Sequence, residues 1–98
     1  MGGQNATRKG DKCTGHDACP PRPPITWSPD VFINTKNSVR QTDTYDTHGC
    51  TVHSPHTGTV VKGSSTVYVN NLQKARQGDP ISCGSKCDEH SPDVIVGG

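Results

Sequence analysis

Apolar residues along this chain gather in three short alternating runs set in polar sequence, and each run opens on a serine. The runs are Ser28-Pro29-Asp30-Val31-Phe32-Ile33-Asn34, Ser64-Ser65-Thr66-Val67-Tyr68-Val69-Asn70 and Ser91-Pro92-Asp93-Val94-Ile95-Val96. Val31 and Ile33, Val67 and Val69, and Val94 and Val96 are β-branched and two apart, so each pair shares one face of an extended strand. The pattern predicts three short strands with that face buried. Phe32, Tyr68 and Ile95 fall on the opposite face, and their apolar character predicts partial cover there as well. No segment carries a helical period, and glycine (11) with proline (8) fills 19 of the 98 positions, so the expected fold is mainly β with long loops.

A second motif repeats in step with the first. Arg8-Lys9-Gly10-Asp11 returns as Arg40-Gln41-Thr42-Asp43 and as Arg76-Gln77-Gly78-Asp79. The unit is a turn, a loop of variable length and a strand, present three times in one domain spanning 1–98. An arginine three residues before an aspartate reads as a brace for the turn. Three such units packed around a common axis would bring their loops together at one end.

Composition asks for something beyond an apolar core. Only 28% of residues are hydrophobic, and Leu72 and Phe32 are the lone leucine and phenylalanine. That lies near the disordered class, yet ten basic residues nearly cancel nine acidic ones to leave +1, without the charge excess that disorder favours. A domain this small needs a staple. All five cysteines and all five histidines sit in the three variable loops. The odd cysteine number argues against a pure disulfide framework. Met1-Gly2-Gly3-Gln4-Asn5-Ala6 has no apolar leader segment, so synthesis in a bacterial cytoplasm is expected, where metal is favoured over disulfide. Cys13, Cys19, Cys50 and Cys87 stay open between buried free thiols, extra ligands beside His53 or His90, and disulfides made after release into an oxidising space. His53 and His90 read as solvated side chains, and Trp27, Phe32 and Tyr68 as filling for a small core. No basic run interleaves with aromatics, so nucleic-acid binding has no support.

Lys74-Ala75-Arg76-Gln77-Gly78-Asp79, with Val67-Tyr68-Val69-Asn70-Asn71 before it and Pro80-Ile81-Ser82-Cys83-Gly84 after it, resembles the PAAR-repeat proteins. Gly10-Asp11-Lys12-Cys13-Thr14-Gly15-His16 and Pro20-Pro21-Arg22-Pro23 are similar to the phage-type branch of that family. Thr42 in the middle turn, where the family keeps glycine, and the loop Lys86-Cys87-Asp88-Glu89-His90 depart from it. The resemblance implies a small cone of three imperfect repeats with pseudo-threefold symmetry, one structural zinc at its apex, and ligands His16, His48, His56 and Cys83. It also implies the function: a non-enzymatic tip that sharpens the membrane-piercing spike of a phage tail or type VI secretion system. One copy would cap one trimeric β-helical spike, touch the target envelope transiently, and expose apolar strand ends when free. The alternative is a small zinc-dependent hydrolase of envelope components, with Glu89 or Asp88 as general base; the chain barely has residues for a substrate pocket. With no extension before Met1 or beyond Gly98, a fused toxin is not expected.

Overall fold

Asn34-Thr35 and Asn70-Asn71 turn the chain back on itself, and both pairs hold positive φ, 52° and 67° in each case. Two successive left-handed residues make the tight turn whose twist suits a hairpin, and asparagine tolerates that region well. The computed structural model describes residues 3–15, 20–50 and 53–97, with residues 48–50 and 53–56 in backbone only. Its strands are β1 (Gln4–Asn5), β2 (Phe32–Ile33), β3 (Lys36–Asn37), β4 (Thr44–Cys50), β5 (His53–Thr59), β6 (Tyr68–Val69), β7 (Leu72–Gln73) and β8 (Ile95–Val96), all in antiparallel pairs. No helix occurs among the described residues.

Each serine-led run supplies one strand of an antiparallel pair, which is a hairpin for the first two. In β2·β3 Phe32 pairs with Asn37, and in β6·β7 Tyr68 pairs with Gln73. The third pair has the same register but joins the two ends of the sequence, Ile95 with Asn5 and Val96 with Gln4. The serine hydroxyls fix the run before each strand: Ser28, Ser64 and Ser91 Oγ accept from the amides of Val31, Val67 and Val94 at 3.0, 2.9 and 3.0 Å. All three serines are fully buried.

The expected braces are present three times over. Arg8, Arg40 and Arg76 each give a two-nitrogen fork to Asp11, Asp43 and Asp79, at 2.9 and 3.1, 3.0 and 2.9, and 3.1 and 3.0 Å. The same aspartates accept from the arginine amides and return their own amides to the arginine carbonyls, closing a turn. The hydrogen bond from Asp11 and Asp43 is the main influence raising the pKa of Arg8 and Arg40. The third turn position is left-handed, Gly10 at 91° and Gly78 at 90°, and Thr42 is forced to 75° where a β-branched residue is strained.

At the centre the repeats join in a closed ring. Val39 N–H donates to Thr7 O, Ala75 N–H to Val39 O and Thr7 N–H to Ala75 O, at 3.2, 3.1 and 3.3 Å. Lys74, 1% exposed, places its ammonium against the same three carbonyls, at 2.7 Å from Thr7, 3.1 Å from Val39 and 2.8 Å from Ala75. An ammonium has three protons and no acceptor, so three carbonyls satisfy it. Beside this ring lie Cys13, Tyr45 and Ile81, each two residues beyond a brace aspartate, and Pro24, Val60 and Cys87, each four before a run serine. All six are buried, and bridges Pro24 to Tyr45, Val60 to Ile81 and Cys87 to Cys13 link each repeat to the next.

The outer strand face departs from expectation. Phe32, Tyr68 and Ile95 are 54%, 56% and 57% exposed, so Phe32 and Tyr68 do not fill the core; the two-strand hairpins are too narrow to be covered on both sides. Tyr45 takes that place instead, with Trp27 packed at the edge and Lys9 over its ring at 4.6 Å.

Lys74→Ala is expected to lower unfolding free energy by about 2–4 kcal/mol in urea titration, because it leaves a void and half-satisfied carbonyls. Burial lowers the Lys74 ammonium to about 8, against the opposing influence of Cys87, Asp11, Asp79 and Asp43. Burial likewise pushes the Cys87 thiol up to about 11. Between pH 8 and the ordinary lysine value near 10.4 the unfolded chain holds more protons at Lys74, so that group makes stability rise with pH. Cys87, and above pH 10 Tyr45, act in the opposite sense. Stability should therefore stay nearly level from pH 8 to 10 in the natural chain and fall with pH over that window in Lys74→Met. A Lys74→Met profile parallel to the natural one would contradict this assignment.

Candidate functional site

The middle loop, which carries His48, Cys50, His53 and His56, forms the longest hairpin of the structure rather than irregular chain. β4 leaves the second brace at Thr44 and β5 returns to the core at Val60, so both feet are fixed. Ile25 and Asp46 amides donate to Thr44 and Pro23 carbonyls at 2.7 and 2.9 Å. On the other side Ser82 N–H donates to Thr59 O at 2.8 Å, and Thr59 N–H to Ser82 Oγ at 3.0 Å. A proline within β5, Pro55, is compatible with a two-stranded sheet because each strand keeps an unpaired edge.

The register of this hairpin brings expected ligands into opposition. His48 is the direct cross-strand partner of His56, and Cys50 that of His53. Two shifts in register, between Tyr45 and His48 and between His48 and Cys50, make this alignment. The first adds a residue on β4 and the second adds one on β5, so they cancel by Cys50, and both twist the ladder. Without them a strict count from Tyr45 opposite Gly58 would set His48 against a different residue.

Cys83 approaches the same hairpin from the third repeat. It sits in a tight turn closed by Ile81 N–H to Ser85 O at 2.8 Å and Gly84 N–H to Ile81 O at 3.0 Å, with Gly84 at a φ of 99°. The thiol is free, half-buried and packed on the core. Opposite it, β5 has a glycine: a Cβ at Gly58 would meet Ile81 Cγ2 at 2.7 Å and Cys83 Sγ at 2.8 Å. The missing side chain lets Cys83 lie directly against the hairpin two residues from His56.

Of the four expected ligands, the structure thus relates three: His48 and His56 by strand register, and Cys83 by its place against Gly58 in the same hairpin. His16 lies outside the described residues, as does Cys19. Among the described residues no cluster of three ligating side chains forms. Imidazole and thiolate donors from different repeats suit a tetrahedral divalent zinc. The remaining cysteines divide: Cys13 and Cys87 are buried free thiols, while Cys50 is known by register alone. His90 is half-buried, its ring nitrogen 2.7 Å from Ser91 O. Glu89 accepts from the Lys12 amide at 2.8 Å, which gives its carboxylate a structural task.

A second candidate surface is the set of exposed side chains Phe32, Tyr68 and Ile95, at corresponding positions of the three two-residue strand pairs, joined by Val67 at 38% exposure. The sequence predicts partial cover for all three and a buried place for Val67, and the structure exposes all four. Their partner strands, Lys36–Asn37, Leu72–Gln73 and Gln4–Asn5, are two residues long and make pairs too narrow for two-sided cover.

Gly58→Ala should cost about 1–3 kcal/mol in denaturant unfolding, since its Cβ would overpack Ile81 and Cys83. Unchanged stability would show that the Cys83 turn yields freely.

The family model of the PAAR motif matches residues 53–98. The chain is also similar to the double-stranded DNA deaminase toxin A of Burkholderia cenocepacia (strain H111), with 32% identity over 74 residues. That stretch covers 76% of this chain and 5% of the toxin.

Proposed function

We propose that this chain, whose residues 53–98 match the PAAR motif, is the tip of a trimeric β-helical spike in a type VI secretion system or contractile phage tail, with one zinc holding its apex. The observation that carries the docking half is the exposure of one large apolar side chain at the same position of the three two-residue strand pairs, Phe32, Tyr68 and Ile95. Exposed apolar surface repeated in this way fits a partner that offers three like chains. The closed ring of amide bonds through Thr7, Val39 and Ala75 supports a pseudo-threefold arrangement of the repeats.

The apical half rests on the His48 to His56 register and on the close seat of Cys83 against β5. His48, His56 and Cys83, with His16, would hold the zinc. Bound there, the ion supplies cross-linking between repeats and completes a closed coordination set. The chain's own residues do the remaining work: Gly58 admits the thiol, and the second brace and Ser82 fix the feet of the hairpin. The role is structural, and the deaminase named in the relative belongs to that far longer protein.

Elemental analysis of the purified chain is expected to find one zinc per molecule, and His48→Ala or Cys83→Ala to lose the metal and lower Tm together. Protein without metal, or a metal-free variant of unchanged Tm, would remove zinc from the proposal.

Mixed with a trimeric β-helical spike fragment, the chain should give a complex of one tip and three spike chains by light scattering. Tyr68→Asp is expected to raise Kd about tenfold or more, as for a central apolar anchor, without changing Tm by more than a few degrees. Equal numbers of tip and spike chains, or no complex, would overturn the docking role.

A further inference from the structure

Cys13 and Cys87 face each other across the antiparallel bridge that joins the first repeat to the third. Their amides bond elsewhere, Cys13 N–H to Arg22 O and Cys87 N–H to Asp79 O, each at 2.9 Å. The next pair along, Thr14 N–H to Lys86 O at 2.9 Å, holds the ladder together. This is the type of site at which opposed residues of an antiparallel pair have Cα atoms about 4.5 Å apart. A disulfide bridges Cα separations of roughly 4.4–6.8 Å. Both thiols are 1% exposed and free, and both belong to one core cluster with Tyr45. They converge on the Tyr45 phenol: its hydroxyl lies 3.5 Å from Cys87 Sγ, and its ionisation is opposed first by burial and then by Cys87 and Cys13.

Neither residue has a place in the apical ligand set, and the bridge they form occupies a particular position. The Pro24 to Tyr45 and Val60 to Ile81 bridges join repeats that the chain already connects in sequence. The Cys87 to Cys13 bridge closes the ring between its last and first members, where cohesion is otherwise noncovalent: the two-residue pair β1·β8, amide bonds, and side-chain hydrogen bonds such as Asn5 to Ser91 O and Gly15 N–H to Ser85 Oγ.

We propose that Cys13 and Cys87 are a cross-linking site, at which a disulfide locks the seam between the first and third repeats. The oxidant is a disulfide, either a small molecule such as oxidised glutathione or a protein of the thiol oxidoreductase class. One thiolate attacks the reagent's sulfur and releases one thiol, leaving a mixed disulfide. The other thiolate then displaces the second reagent thiol. Two protein thiols lose two electrons and two protons, and one reagent disulfide becomes two thiols. While the seam is closed the reaction is slow, since the pair is buried and burial pushes Cys87 up to about 11. Opening of the short β1·β8 seam admits the reagent. The bond itself rests on the bridge geometry; only its use, hardening a tip that has left a reducing compartment, rests on the spike-tip reading.

The test treats the whole purified chain with oxidised glutathione, in buffer and in urea below the unfolding midpoint, then alkylates the remaining thiols and maps peptides by mass spectrometry. A Cys13–Cys87 link in either condition, with a Tm raised by about 10 °C or more and restored by reductant, is the expected result. Alkylated Cys13 and Cys87 in both conditions, pairing with Cys19, Cys50 or Cys83 instead, or a link that leaves Tm unchanged, would each overturn the proposal. Spike binding is not read in this experiment, so its failure leaves the tip assignment standing.

Discussion

One ammonium group set against three backbone carbonyls anchors the rest of this fold. Lys74 Nζ bonds Thr7, Val39 and Ala75, the residues that precede the three brace arginines, and those residues also bond one another in a ring. A side chain with three donors fits three converging acceptors where an apolar one would leave their second lone pairs unmet. The corresponding positions in the other repeats hold Ala6 and Ser38, both small and buried, so the three units share one lysine because there is room for one. Breaking the sequence symmetry at this position lets the symmetric bonds be satisfied. Outward from the ring each repeat adds the same pieces: an arginine fork, a buried core residue two beyond the aspartate, and a serine that folds the run into a strand pair.

Much of this plan is written in the residues. Arg-x-x-Asp and the serine-led runs give the repeat, and their side chains make the same bonds each time. The second strands were not legible, because Lys36–Asn37, Leu72–Gln73 and Gln4–Asn5 are two residues long and lack a common alternation. Without them Phe32 and Tyr68 look like core residues, when the hairpins in fact hold them outward. Tyr45 was overlooked as core for the opposite reason: its neighbours are polar, and only its position two after Asp43 aligns it with Cys13 and Ile81.

The candidate site was legible in chemistry and only partly in position. Ten thiols and imidazoles in the loops of a core-poor chain announce a staple. That His48 opposes His56 depends on the register shift between Tyr45 and His48, which no simple spacing encodes, and that Cys83 reaches the hairpin depends on one glycine side chain being absent. The long hairpin and the outward face therefore obey different rules. The first is set by backbone irregularities, the second by regular repetition.

The union of β1 with β8 also bears on how the molecule is made. Gln4 pairs with Val96 and the Ala6 amide reaches Val94 O, so the first strand has no partner until the third serine-led run has emerged from the ribosome. The ring of Thr7, Val39 and Ala75 likewise waits for its third member. Contacts this distant in sequence slow folding and leave strand edges bare for longer. During synthesis the first two repeats remain an open arc, with β2·β3 as their earliest local structure, and the ring closes only once the third repeat has been made.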